Sequence, residues 1–179
     1  MIITVNDEIS LTEIRSTDKQ AFLTYLSDEG IYQNTLSIPS PYRESDAEQW
    51  ISINLKIFDD HGTHFNLAIR QGEDLVGVIG LLDVGEPHPH RAEVGYWLAR
   101  PLWGQGLMTQ VLRRFMSHAF KEFELEKLTA HVFAGNTASE KVLVKCGFKL
   151  EGRFEKHYVK NGRFIDAVAY GIVQREFDG

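Results

Sequence analysis

The 179-residue chain has little cysteine, little proline and no long apolar run. Its one cysteine, Cys146, excludes an intrachain disulfide. No stretch approaches the roughly 20 apolar residues that a membrane-spanning helix needs, and the N-terminus lacks the basic and apolar segments of a secretion signal. With 43% hydrophobic residues and this length, we expect one folded domain over residues 1–179. Because a signal segment and a membrane span are missing from the pattern, we expect a cytoplasmic location.

Basic residues are not in excess either. The sequence has 19 Lys and Arg against 25 Asp and Glu, a formal net charge of −6. Nucleic-acid binding needs a basic face, so we expect no nucleic-acid partner, and we expect no membrane partner. An acidic surface suits a cationic acceptor such as a basic peptide N-terminus or a polyamine, although ordinary solubility explains the charge equally well.

Several motifs of other enzyme classes are also missing. The chain has no Gly-Lys-Ser/Thr, which excludes a P-loop, and no G-x-S-x-G, which excludes the nucleophile elbow of the hydrolases. His88 and His90 lie in a proline-rich loop without a third candidate ligand, so we expect no metal site there. Cys146 ends a helical pattern and is expected to be a buried, unreactive thiol.

The spacing of apolar residues predicts a mixed α/β fold with a largely antiparallel sheet of about six to seven strands. Strands are predicted at 9–15, 63–70, 75–82, 92–98, 127–133, 148–157 and 163–173. Helices are predicted at 18–27, 45–59, 109–120 and 136–146, with a proline-containing loop at 34–41. The last two strands should form a hairpin through Asn161-Gly162. Helix 45–59 is expected to use Ala47, Trp50, Ile51, Leu55 and Phe58 as its apolar face.

The most informative segment is Trp103–Thr109, a glycine turn between a predicted strand and a predicted helix. Gly104 and Gly106 let the backbone approach a ligand closely. The first N–H groups of a helix lack intrahelical partners, and the helix dipole adds partial positive charge there. The turn therefore predicts an anion site that suits a phosphorylated cofactor. It is not a Rossmann fingerprint, because Thr109 stands where the third glycine would be.

A second segment, Asn136–Phe148, narrows the choice of cofactor that the turn suits. With these two segments the chain resembles the GNAT acyltransferases, and within them the RimJ/RimL-like branch that acetylates protein N-termini. Trp103–Met108 occupy that family's pyrophosphate loop, with Trp103 where the broad family has Gln or Arg and Met108 where it has Gly or Ala. The helix motif N-x-x-S-x-x-x-L-x-K-x-G-F is matched by Asn136, Ser139, Leu143, Lys145, Gly147 and Phe148. Segments 95–98, 150–152 and 161–166 also resemble this branch.

The resemblance implies a GNAT fold with helices on both faces of the sheet and a splay between its fourth and fifth strands. It also implies acetyl-CoA as cofactor, with CoA as product, and a primary amine as acceptor. The first candidate acceptor is the N-terminal α-amine of a protein such as a ribosomal protein. A polyamine or antibiotic acceptor, a catalytically silent CoA-binding sensor and a protein-interaction module are the alternatives, and a homodimer is left open. The expected cofactor-binding residues are Trp97, Leu98, Gly104, Gln105, Gly106, Leu107, Met108, Thr109, Asn136 and Ser139.

Three residues are candidates for the chemistry, because acetyl transfer needs a proton acceptor for the amine and a proton donor for the departing thiolate. The resemblance implies that Ser139 serves the thiolate, with Tyr158 as the second candidate. Glu93 lies where several GNAT enzymes carry a catalytic glutamate, whereas some RimL-like enzymes keep it at about the position of Tyr158. Each has an ordinary alternative: a helix-cap position for Ser139, aromatic packing for Tyr158, a plain strand position for Glu93.

Overall fold

The computed structural model describes residues 2–178, and eight strands of this part of the chain form one sheet. The strands are β1 (Ile2–Thr4), β2 (Ile9–Thr12), β3 (Asn66–Gln71), β4 (Asp74–Leu82), β5 (Arg91–Leu98), β6 (Lys127–Phe133), β7 (Lys149–Lys160) and β8 (Arg163–Val173). The helices are α1 (Lys19–Tyr25), α2 (Glu29–Gln33), α3 (Glu44–His61), α4 (Leu107–Glu122) and α5 (Thr137–Lys145). Short 3-10 turns cover Ser16–Asp18, Arg100–Leu102 and Gln174–Glu176.

The sheet has the strand order β1-β2-β3-β4-β5-β6-β8-β7. Strand β5 pairs with β6 in parallel. The pairs β1–β2, β2–β3, β3–β4, β6–β8 and β7–β8 are antiparallel. The predicted mixed α/β fold with a largely antiparallel sheet is confirmed, with eight strands instead of about six to seven. The additional strand β1 and the short helix α2 were not predicted, because neither is long enough to show a hydrophobic period.

Strands β5 and β6 are the fourth and fifth of the predicted strands, and they separate soon after they meet. Their register pairs Arg91–Glu93 with Lys127–Thr129, and within the described residues the pairing ends there. Strand β6 continues to Phe133 paired with β8. The predicted splay is therefore confirmed, and Glu93 is the last residue of β5 that pairs with β6.

The chain divides into two compact units. One unit runs up to Gly80 and includes Tyr96–Trp103; the other comprises Leu81–Gly95 and the chain from Gly104 onward. A single domain over 1–179 stays a prediction, and residues 1 and 179 lie outside the described chain. Within the described part, no helix combines the length and the apolar character needed to cross a membrane.

In the first unit, apolar side chains of the helices pack with those of β3 and β4. The members of this core are Ile14, Phe22, Leu26, Ile31, Ala47, Ile51, Ala68, Leu75 and Val78. Helix α3 buries Ala47, Ile51 and Asn54, which recur every three or four residues. The prediction that Leu55 and Phe58 are part of its buried face was wrong, because they are 44% and 43% exposed. Asn54 takes the buried position instead, and it donates to the Trp50 carbonyl at 2.8 Å.

A buried ion pair also stabilises the first unit. The Arg70 guanidinium donates to both carboxylate oxygens of Asp18, at 2.9 and 2.8 Å, and its Nε donates to Thr12 at 2.7 Å. Only 2% of the Arg70 side chain and 5% of the Asp18 side chain are exposed. Asp18 also accepts from the Arg15 N–H at 2.7 Å, so it connects the chain before α1 to β3.

In the second unit, α4 buries one apolar face along its whole length. The β7–β8 hairpin carries Tyr158. The buried residues of α4 are Leu107, Met108, Val111, Leu112, Phe115, Met116, Ala119 and Phe120. The hairpin turns at Asn161 and Gly162, which both have positive φ, as the Asn-Gly pair predicts. A register shift between Phe154 and Tyr158 is held by the Lys156 N–H, which donates to Asp166 at 2.7 Å.

We expect Asp18→Asn to lower the free energy of unfolding by about 3–5 kcal/mol, because it leaves the buried Arg70 charge without its counter-ion. Urea unfolding at pH 7 measures this. Asp60→Asn is the matched control: it breaks the exposed Lys56–Asp60 pair of α3 and should leave the midpoint nearly unchanged. Equal midpoints for both variants would show that the buried pair contributes nothing.

Candidate functional site

The glycine turn before α4 has the geometry that an anion site requires. Gly104 and Gly106 have φ of 75° and 76°, in the left-handed region that costs other residues roughly 1–2 kcal/mol. A Cβ built on either glycine meets no atom within 4 Å, so both face open space. The turn therefore exposes backbone to a ligand on that side.

Helix α4 starts directly after this turn with its N-terminus uncapped by any side chain. Gly106 is the N-cap, and the first turn of the helix contains no acidic residue. Thr109 and Gln110 donate to the Gly106 carbonyl, whereas the N–H groups of Leu107 and Met108 have no intrahelical carbonyl partner by their position. The side chains of Leu107 and Met108 are buried, which fixes the direction of these N–H groups.

Asn136 and Ser139 lie together at the start of α5. Asn136 is the N-cap of this helix, and its side-chain oxygen accepts from the Ser139 N–H at 3.2 Å. Its amide NH₂ can still donate, so capping and ligand binding are compatible. Ser139 is half-buried in the first turn, with its hydroxyl on the third residue of the helix.

Helices α4 and α5 contact each other near the glycine turn. The Arg113 guanidinium donates to the Lys145 carbonyl at 2.7 Å, and the Cys146 thiol lies 3.5 Å from the Thr109 carbonyl. Cys146 is 4% exposed, and burial raises the pKa of its thiol. A raised pKa disfavours the reactive thiolate, as the sequence predicts for an unreactive cysteine.

Glu93 does not stand alone on β5, because its carboxylate is bound to an imidazole. Glu93 Oε2 lies 2.8 Å from His131 Nδ1 of β6, and the side chains are 19% and 24% exposed. Ala92 and Val94 on either side of Glu93 are buried, as are Ala130 and Val132 around His131. Because side chains alternate along a strand, Glu93 and His131 lie on the face opposite these buried neighbours.

Aromatic and imidazole rings of β7 lie next to His131. His131 stacks on His157 with ring centroids 5.7 Å apart and an angle of 14°, and its ring centroid lies 6.2 Å from that of Phe154. His157 contacts Tyr158 edge-on at 4.5 Å, and Tyr158 contacts Phe133 at 5.7 Å. We call these residues the imidazole cluster: Glu93, His131, Phe133, Phe154, His157 and Tyr158.

Tyr158 keeps its proton in this environment. Burial raises the pKa of its phenol above the ordinary value of 10.0, and the negative charges of Glu93 and Asp83 raise it further. At neutral pH the side chain is therefore a neutral phenol that can donate a hydrogen bond.

Trp97 and Leu98 belong to the first unit, together with Trp103. The Trp97 ring lies 6.1 Å from Phe22 and packs against the core of that unit. Leu98 is buried, and its carbonyl accepts from the Trp103 indole N–H at 2.6 Å. The indole therefore ties the chain entering the glycine turn back to the end of β5.

Residues 8–149 match the family described as the acetyltransferase (GNAT) domain. The chain belongs to the GNAT family. It is 32% identical over 130 residues to a ribosomal-protein-serine acetyltransferase of Escherichia coli, covering 73% of this chain and 72% of the relative. It is 23% identical over 175 residues to a spermidine N(1)-acetyltransferase of Vibrio cholerae, covering 97% of both chains.

A solved structure of a RimL ribosomal-protein α-N-acetyltransferase in complex with coenzyme A has the same fold. Its TM-score is 0.86 at 22% identity, covering 97% of this chain and 98% of that chain. The expected membership of the GNAT acyltransferases and the likeness to the RimJ/RimL-like branch are thus confirmed, and the chain is an N-acetyltransferase by family.

The structure groups the predicted site residues of this GNAT chain into separate sets. Glu93 and Tyr158 belong to the imidazole cluster, and Asn136 and Ser139 share the start of α5. His131 and His157 were not predicted; the alternation in Lys127–Phe133 places His131 on the face opposite Leu128, Ala130 and Val132, but a strand histidine alone indicates no role. Among the described residues, no three His, Cys, Asp or Glu side chains converge as metal ligands would.

We expect Gly106→Val to weaken acetyl-CoA binding at least about tenfold, because the side chain would fill the open face of the turn and strain a positive-φ position. Isothermal titration calorimetry measures the affinity. Gly62→Val is the matched control, since Gly62 ends α3 with φ of 69° and also has nothing within 4 Å. It should cost a similar strain without changing the affinity. Wild-type affinity in Gly106→Val would remove the turn from the cofactor site.

Proposed function

We propose that this protein is an acetyl-CoA-dependent N-acetyltransferase whose acceptor is the N-terminal α-amine of a protein such as a ribosomal protein. The observation that carries the cofactor assignment is the uncapped start of α4, where Gly104 and Gly106 face open space. The acceptor class is supported by the Escherichia coli relative, a ribosomal-protein-serine acetyltransferase, and by the Glu93 carboxylate, which would attract a cationic amine.

The described residues fit a CoA pyrophosphate. Two positive-φ glycines and the N–H groups that open α4 offer donors and partial positive charge to an anion. When bound, acetyl-CoA supplies an acetyl group activated as a thioester. We assign to CoA binding Gly104, Gln105, Gly106, Leu107, Met108 and Thr109 of the turn, together with Asn136 and Ser139. The expected cofactor contacts of Trp97 and Leu98 stay a prediction.

Two hydroxyl groups are candidates to protonate the departing thiolate. Ser139 is our first choice because its helix start carries the N-x-x-S motif and its hydroxyl can donate while remaining neutral. Tyr158 is the second choice, since burial and nearby negative charge keep its phenol protonated. Either group would stabilise the charge that develops on sulfur.

A small-molecule acceptor is the second candidate function. The Vibrio cholerae relative is named as a spermidine acetyltransferase, and a polyamine is a cation that the Glu93 carboxylate would also attract. A catalytically silent CoA-binding sensor is a third possibility, and it differs from both by having no turnover. The cytoplasmic location and a homodimer stay predictions.

Two measurements test this proposal in sequence. Calorimetry with acetyl-CoA, desulfo-CoA and NAD should show micromolar binding of the CoA ligands and none of NAD. Thiol release with mass spectrometry then compares a peptide with N-terminal serine, the same peptide with an acetylated N-terminus, and spermidine. We expect turnover with the free peptide alone. Faster turnover of spermidine would favour the second candidate. CoA binding without any turnover would favour the sensor. Absence of CoA binding would contradict all three candidates.

We expect Ser139→Ala to lower kcat by about 10²-fold with little change in KM, because the hydroxyl would act on the leaving thiolate and not on ground-state binding. Steady-state kinetics with the serine peptide, or with spermidine if that is the better acceptor, measures both constants. Ser117→Ala on the exposed face of α4 is the matched control and should be silent. An unchanged kcat in Ser139→Ala together with a lowered kcat in Tyr158→Phe would assign the role to Tyr158.

A further inference from the structure

We infer that His131 is the general base of the reaction and that Glu93 is the carboxylate that positions it. The inference rests on the proposed function and identifies the atom that accepts the proton. Nε2 of His131 receives the proton of the acceptor amine. Glu93 fixes the orientation of the imidazole and stabilises the charge that forms on it.

The contact between the two side chains defines which nitrogen is free to act. His131 Nδ1 lies 2.8 Å from Glu93 Oε2, and a carboxylate can only accept a hydrogen bond. The neutral imidazole must therefore carry its proton on Nδ1, which leaves the lone pair on Nε2. The same logic applies to the aspartate–histidine pair of serine proteases, where the carboxylate sets the tautomer.

An imidazole is better suited than a carboxylate to the proton transfer itself. The ordinary pKa of histidine is about 6.5 and that of glutamate about 4.3. A general base is most effective when its pKa lies near the working pH, so imidazole is the better acceptor for a proton from an amine at neutral pH. The Glu93 carboxylate then faces the imidazolium as its counter-ion.

The titratable groups around His131 come from β5 and β7. Its titratable neighbours are Glu93 of β5 and His157 of β7, with Tyr158 beyond His157. Its cross-strand neighbour on β8 is Ala169, which carries no charge. His157 stacks on His131 with ring centroids 5.7 Å apart. Asp83 adds a further negative charge near Tyr158.

Acetyl transfer removes one proton from the amine nitrogen and adds one to the sulfur. The amine nitrogen forms a bond to the acetyl carbon while the carbon–sulfur bond breaks and its electron pair leaves with sulfur. The nitrogen loses one proton to Nε2 of His131, and the sulfur gains one from the Ser139 or Tyr158 hydroxyl. His131 then releases its proton to solvent, and the hydroxyl regains one from solvent. The products are the amide and CoA.

The first test needs neither acceptor nor turnover. Long-range ¹H–¹⁵N NMR of the full chain identifies the tautomer of each histidine, with His131→Asn and His157→Asn used for assignment. We expect neutral His131 to carry its proton on Nδ1, because the Glu93 carboxylate beside that nitrogen can only accept a hydrogen bond. A neutral His131 with its proton on Nε2 would overturn the inference.

The second test is the pH dependence of kcat/KM for the serine peptide, or for spermidine if that is the better acceptor. Asparagine keeps an N–H donor in the place of Nδ1 but has no basic nitrogen in the place of Nε2. His131→Asn should therefore lower kcat/KM by about 10²-fold or more and abolish the decline on the acidic side. His90→Asn, in the exposed loop before β5, is the matched control and should retain the wild-type profile. Amide spectra confirm folding of each variant.

The outcomes separate the two proposals. An active wild-type enzyme whose profile is unchanged in His131→Asn would contradict the role of His131 while leaving the acetyltransferase function intact. A wild-type protein that turns over no acceptor of the panel would count against the proposed function, and the NMR tautomer would then decide whether the Glu93–His131 pair exists as inferred.

Discussion

Parallel pairing of β5 with β6 over three residues determines which side chains meet at the candidate site. The register that pairs Glu93 with Thr129 leaves His131 two residues further along β6, on the same face as Glu93. Beyond that point β6 continues along β8 alone, so the carboxylate and the imidazole lie where the pairing ends. A shift of one residue in this register would turn Glu93 and His131 to opposite faces of the sheet.

Backbone and side chains divide the proposed work between them. The start of α4 offers N–H groups held by two glycines and by the buried side chains of Leu107 and Met108, so the anion binding that we propose there depends little on side-chain chemistry. This explains how Trp103 and Met108 can replace the family's usual residues, since Trp103 serves instead to tie the turn to Leu98. The imidazole cluster consists of side chains only, and the acceptor chemistry is assigned there.

Local patterns predicted most of the elements correctly. Helix α4 and the Asn161-Gly162 hairpin follow from apolar spacing and from turn chemistry, which act over a few residues. Helix α3 was predicted with the wrong buried residues, because an apolar side chain in a helical pattern need not face the core. Asn54 is buried there and is bonded to Asn66, a residue 12 positions away that no periodicity predicts.

The sequence by itself determined the family, the glycine turn before α4 and the cap at Asn136, because each depends on residues adjacent in the chain. The turn requires a positive φ at Gly104 and Gly106, which glycine allows. The cap requires a side-chain oxygen at Asn136 for the N–H of Ser139, three residues later. The tertiary structure alone decided that Glu93 has a partner. Glu93 and His131 are 38 positions apart in the sequence. They meet because β5 pairs with β6, and His157 of β7 stacks on the His131 ring.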